Sequence, residues 1–297
     1  MTLEMLLQHI LNGVSLGSLY ALVAIGYTMV YGILRLINFA HGEIFMMATY
    51  FAFFGIATFG MPWYAVLIGA ILLTAVLGMT AERVAYRPLR DAPKISILIS
   101  AIGVSYLIQN LAIVLFSGRP KAFPQIELFT GMTSIGNIYI QKLTFIIPVV
   151  TAILLAALIY LINHTKSGIA MRAVAKDHET AKLMGVDVNK TIAMTFAIGS
   201  MLAAVGGIMW SFKFPQIAPT MGIMPGLKAF IAAVLGGIGS ISGAVIGGFI
   251  LGLGEIMLVA SMPGLTGYRD AFAFVLLILI LLFKPTGIMG EKISEKV

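Results

Sequence analysis

Long apolar runs separated by short polar clusters set the pattern of this chain. Residues 95–116, 145–162 and 191–212 contain no Asp, Glu, Lys or Arg, and 244–261 contains only Glu255. Each approaches the ~20 apolar residues that carry a helix across ~30 Å of hydrocarbon. Lipid offers no hydrogen-bond partner to a free backbone amide, so runs that are apolar all round read as spanning helices. Helices are predicted near 6–34, 44–59, 62–81, 95–116, 144–163, 191–212, 243–260 and 266–283. Residues 228–238 form one more apolar run, which at ~1.5 Å per residue covers about half a bilayer. It reads as a broken or re-entrant helix, the alternative being a tilted helix at the interface. The expected architecture is all-α: a polytopic transmembrane helical bundle of about eight spans plus that short segment. It forms a single domain over 1–297.

The longest polar interruption is 166–190. Within it Asp177 can cap a short helix over 178–184, and Gly185 supplies a left-handed stop. Asp187 can cap the helix that follows into the membrane. A short helix held outside the bilayer on two rigid arms is a docking peg, which points to a membrane subunit driven by a soluble partner.

Composition agrees with the pattern. With 60% hydrophobic residues, 10% charged residues and a mean hydropathy of +1.02, a soluble globular domain is excluded. The chain has no cysteine, which removes disulfides and thiolate metal sites. Its net charge is +7, and the basic residues fall in short loops. Arg83, Arg87, Arg90 and Lys94 mark one; Lys166, Arg172, Lys176, Lys182 and Lys190 mark another; Lys284, Lys292 and Lys296 mark the C-terminus. With Arg35 these define the cytoplasmic side, so the basic balance reports membrane orientation and no nucleic-acid partner is expected. On that assignment 213–226 lies outside and Lys284 inside. The spans 243–260 and 266–283 alone cannot satisfy both, which is why 228–238 must carry the chain part of the way across. The first span begins with Glu4 and no cleavage site follows it, so it reads as an uncleaved insertion signal. The last span must include Arg269 and Asp270, which can partner Glu255 or snorkel to the interface.

Candidate chemistry is sparse. Gly13, Gly17 and Ala21 repeat every four residues, as do Gly239, Gly243 and Gly247, followed by Gly248 and Gly252. Such spacing lets helix backbones approach closely, inside one chain or between subunits. Asn38, His41 and Glu43 stand in an apolar setting between the first two spans, where polar side chains are costly unless satisfied. They read either as a functional group or as a polar cap on the second span. His41 and Glu43 are two residues apart and share no helix face, so no metal site is expected. No nucleophile–base pair, Gly-rich phosphate loop or G-x-x-x-x-G-K-[ST] run is present, and no catalytic residue is assigned. A membrane-embedded enzyme is disfavoured. The energy for transport must come from an ion gradient, as in a secondary transporter or channel, or from another polypeptide.

The run Tyr31-Gly32-Ile33-Leu34-Arg35-Leu36-Ile37-Asn38-Phe39-Ala40-His41-Gly42-Glu43 closely resembles the signature of permease subunits of branched-chain amino acid ABC importers. Residues 13–24, 172–185, 236–248 and Lys284-Pro285-Thr286-Gly287 also look like this family, so the resemblance runs nearly end to end. It implies a permease of the bacterial inner membrane, paired with a related permease subunit as a hetero- or homodimer. It further implies two cytoplasmic ATPase subunits, which carry the ATP and Mg that this chain does not bind. A periplasmic amino-acid-binding protein would deliver the substrate. Residues 179–185 correspond to the ATPase-contacting loop, with Glu179, Ala181 and Gly185 matching E-A-A-x-x-x-G and Thr180 departing from it. With Asp177 these are the expected coupling residues. A path for Leu, Ile or Val needs only weak polarity in the permease, and Asn38, His41, Glu43, Gly236, Gly237 and Gly239 are its expected lining.

Overall fold

The computed structural model describes residues 2–90, 92–135 and 138–290. Lys292 and Lys296, used above to orient the C-terminus, lie outside the described residues. The first helix, α1 (Leu3–Leu34), is capped by the Thr2 hydroxyl, which accepts from the Met5 amide at 3.3 Å. Nearly every residue between Gly13 and Val30 is buried, so α1 is the axis of the bundle. It ends at Arg35 in a left-handed conformation, φ 55°.

The helix α2 (His41–Ala57) has 17 residues, short for a span. The reason is where it begins. A Cβ at Gly26 would meet the His41 ring, which sets the start of α2 two turns back from the end of α1. The segment between them therefore dips into the bundle. Then α3 (Trp63–Ala81) continues through a π-helical turn at Glu82–Tyr86 and a 3-10 turn at Arg87–Leu89. It is followed by α4 (Lys94–Phe116).

The next loop holds β1 (Lys121–Ala122), the short α5 (Glu127–Thr130) and a hairpin of β2 (Met132–Ile135) and β3 (Ile138–Gln141), antiparallel with Met132 opposite Gln141. From there α6 (Leu143–His164) returns to the basic side, where α7 (Lys166–Lys176) and α8 (His178–Leu183) stand between membrane helices. After α9 (Val188–Lys213), β4 (Gln216–Ile217) pairs antiparallel with β1. The chain closes with α10 (Ile223–Gly236), α11 (Ile241–Ser261) and, past a 3-10 turn at Pro263–Tyr268, α12 (Arg269–Phe283).

Among the described residues seven helices are long and apolar enough to cross a membrane, and the eighth predicted span, near 44–59, falls in the 17-residue α2, which is not one of them. The short segment is α10, 14 residues long and beginning at Ile223, five residues before the predicted start. The architecture is the all-α polytopic bundle expected from the sequence.

Gly243 and Gly247 pack on Gly236 and Ala232 of α10, among the described residues nothing lies near Gly239, and the remaining small residues bring α1 against α11. A Cβ on Gly17 would come 2.9 Å from the Phe249 Cα, one on Gly13 would come 3.1 Å from the Leu253 Cα, and one on Gly248 would come 2.8 Å from the Ala21 Cα. The stripes of α1 and α11 thus let the two backbones touch, which replaces hydrophobic attraction where lipid is as apolar as leucine.

Candidate functional site

On the basic side, α7, α8 and α9 are punctuated by side chains of the right type at each boundary. The Thr165 hydroxyl accepts from the Gly168 amide at 3.1 Å and starts α7. The Asp177 carboxylate accepts from the Glu179 and Thr180 amides at 2.9 and 3.0 Å and starts α8. Gly185, at φ 84°, ends it: its amide donates to the Lys182 carbonyl and the Val186 amide to the Ala181 carbonyl, each at 3.0 Å. That pair of bonds is a Schellman stop, which satisfies carbonyls the helix leaves open. Asp187 accepts from the Lys190 amide at 3.0 Å and starts α9.

The peg is also anchored. His178 Nε2 donates to the Ile33 carbonyl at 3.0 Å, tying the first turn of α8 to the last turn of α1. Ala181 faces inward and is buried, while Leu183 and Met184 are 87% and 79% exposed. Two exposed apolar side chains thus stand at the tip of an otherwise polar element. Arg90 donates to Asn189 Oδ1 at 2.7 Å and pairs with Glu82, which fixes the loop after α3 against the base of α9. Beside them a cavity of about 350 Å³ is lined by Arg83, Arg87, Asp187 and Lys190.

Deeper in the bundle the structure brings Asn38, His41 and Glu43 together at the start of α2, all of them buried. Asn38 Oδ1 accepts from the Ala40 amide at 3.1 Å and from the Tyr86 hydroxyl at 2.6 Å. The His41 ring lies 4.6 Å from that of Tyr27, centroid to centroid. The Glu43 Oε1 atom is 3.5 Å from Ser105 Oγ on α4. Among the described residues His41 Nε2, Glu43 Oε2 and the Thr28 hydroxyl are buried with no hydrogen-bond partner. Asn38 is thus both a local cap and a link to the turn after α3, and His41 with Glu43 keeps unused polar capacity inside the membrane.

Gly236, Gly237 and Gly239 sit at the other end of α10. The first two pack backbone to backbone: Gly236 against Gly243 of α11, Gly237 against Gly287 and Gly290 of the C-terminal loop. Gly237 and Gly239 both hold positive φ, 106° and 102°. The two groups of path candidates are joined through α10, whose first turn packs Gly222 and Gly226 on Gly42.

Arg269, Asp270 and Glu255 do converge, around Lys228, the first residue of the predicted short segment. Lys228 on α10 lies 2.6 Å from Glu255 and 2.7 Å from Asp270, and Arg269 lies 3.5 Å from Glu255. The Tyr20 hydroxyl donates to Glu255 at 3.1 Å. The signal for Lys228 was available: a lysine within an apolar run too short to snorkel at both ends. Among the described residues no three His, Cys, Asp or Glu side chains come together as a metal site requires.

Against known proteins, residues 9–281 match the family described as "Branched-chain amino acid transport system / permease component". The chain is 45% identical over 304 residues to the high-affinity branched-chain amino acid transport system permease protein LivH of Salmonella typhimurium, covering 98% of this chain and 97% of that one. It is 43% identical over 302 residues to the permease protein BraD of Pseudomonas aeruginosa, covering 98% of each. Among solved structures, PsaBC from Streptococcus pneumoniae in complex with Fab aligns over 95% of this chain at 16% identity, with a TM-score of 0.48.

Proposed function

This chain belongs to the family of permease components of branched-chain amino acid transport systems, and from that membership we propose how it works. It is the multi-pass permease subunit of an ATP-driven importer in the bacterial inner membrane, and it forms part of the path for leucine, isoleucine and valine. It pairs with a related permease. Two cytoplasmic ATPases bind ATP and Mg and press on α8, and a periplasmic binding protein hands over the amino acid. Asp177, Glu179, Ala181 and Gly185 form the coupling element, and Asn38, His41 and Glu43 belong to the path.

The observation that carries this reading is α8 itself: a helix capped at both ends, anchored to α1 through His178 and bare at Leu183 and Met184. Such an element transmits a push as a rigid body, and packed helices answer by shifting between discrete arrangements. The buried network around Lys228 and Glu255 supports a second reading, an ion-gradient-driven transporter.

One assay separates them. The complex of this chain with its partner permease and ATPases is reconstituted in proteoliposomes, with the binding protein outside, and uptake of radiolabelled leucine is measured. Uptake that needs ATP and the binding protein supports the importer. Uptake that survives without ATP and collapses with an ionophore overturns it in favour of the second reading.

A further inference from the structure

The end of the bundle opposite α8 contains a cavity of about 390 Å³, within the range that accepts small molecules. It lies between α1, the first turn of α6, the last turn of α9, α11, the first turn of α12 and the β2–β3 hairpin. The basic loops and α8 mark the cytoplasmic side, so this cavity opens toward the outside.

Its chemistry has three parts. Two cations line it, Lys213 from the end of α9 and Arg269 from the start of α12, and none of the lining residues is acidic. Arg269 already leans on Glu255, but Lys213 does not have such a counterpart. Its Nζ donates to the Ser15 hydroxyl at 2.7 Å, and among the described residues no carboxylate lies within ion-pair distance of it. A half-buried ammonium with only a hydroxyl for company gains from the arrival of an anion. The second part is neutral and polar. Asn12, Gln141 and Thr144 present carbonyl and hydroxyl oxygens, with the Thr144 hydroxyl donating to Asn12 Oδ1 at 3.4 Å. These can accept from an ammonium. The third is an apolar wall of Leu16, Phe214 and Ile256.

A cation, a set of neutral oxygens and an apolar wall in one small space match the carboxylate, ammonium and side chain of an aliphatic amino acid. We propose that this cavity is the first station on the permease for the amino acid arriving from outside, with Lys213 receiving its carboxylate. The inference rests on the reading that the chain passes such substrates inward.

The chain has no cysteine, so a single introduced thiol reports on the cavity alone. In the assembled complex, Gln141→Cys is exposed to sulfonatoethyl and trimethylammonioethyl methanethiosulfonates, and modification of this chain is followed by mass spectrometry. After correction for intrinsic reactivity the anionic reagent reacts faster, and Lys213→Met in the same background lowers that preference about tenfold, the effect of one charge at close range. Lys213→Arg keeps the preference, which guards against a variant that merely misfolds. Millimolar leucine slows the modification, whereas isoamylamine, which lacks the carboxylate, does not. An unreactive thiol, protection by both compounds or protection by neither overturns the proposal. Transport is not the readout, so the two conclusions fail separately. Protection without ATP-driven uptake leaves this site standing and removes the importer reading; uptake without protection does the reverse.

Discussion

An ammonium group inside a membrane protein needs counter-charge close at hand, and Lys228 has two carboxylates within 2.7 Å. Removing one partner from such a network leaves an uncompensated buried charge, a far larger loss than the net contribution of the intact pair. Lys228→Met, which leaves the fully buried Glu255 with only the longer 3.5 Å pairing to Arg269, is expected to destabilise the bundle by about 3 kcal/mol. Lys228→Met with Glu255→Gln recovers much of that loss. Thermal unfolding of the purified single and double variants checks both, and equal loss in the two would refute the coupling. Gly185 shows a different kind of constraint. Nothing lies within 4 Å of where its Cβ would be, so space is free, but φ is 84°. An L-residue there costs roughly 1–2 kcal/mol. Gly185→Val therefore leaves insertion intact while loosening the stop of α8. ATP hydrolysis persists and leucine uptake per ATP falls about tenfold, the yield of a coupling step weakened by ~1.4 kcal/mol. Normal coupling, or a chain that no longer inserts, would count against the idea.

At the scale of elements, α10 poses the question of how a helix can stop inside a membrane protein. Its last carbonyls need donors, and lipid has none. The C-terminal loop supplies them: the Ile288 amide donates to Leu235 at 2.9 Å and the Met289 amide to Gly236 at 2.8 Å. Gly287 makes this possible by turning the loop back at φ 75°, with its own Cα hydrogens against Gly237. The Lys284-Pro285-Thr286-Gly287 run therefore leads into the two amides that cap a helix ending some fifty residues earlier. Gly287→Val leaves those carbonyls open, at about 1–3 kcal/mol each. A clear drop in Tm is expected, against little change for a valine at Gly264, where a Cβ meets open space.

At the scale of the molecule, the bundle is asymmetric from end to end. One end carries α8 and the basic loops, the other the hairpin, the β1–β4 pair and the outer cavity. Sidedness can be read directly. In right-side-out vesicles, Met132→Cys on β2 is expected to react with a membrane-impermeant maleimide and Leu183→Cys on α8 only after permeabilisation. The opposite pattern would invert the assignment of both ends.

Much of this was legible along the chain, because in lipid the backbone has few alternatives. Apolar runs of spanning length must become helices, which is why seven spanning helices, the short segment and the all-α class follow from residue order. The capping at Asp177, Gly185 and Asp187 was legible for the same local reason: it depends on residues within a turn of each boundary. What sequence order could not show is which distant groups meet. Gly236 and Gly237 mark close backbone packing, Lys228 is the hub of a charge network, and Lys213 faces a cavity built from five helices and a hairpin. A helix records in its own sequence where it starts, where it stops and how well it suits lipid. Its neighbours are chosen by packing between surfaces far apart in the chain, and only the tertiary structure decides that.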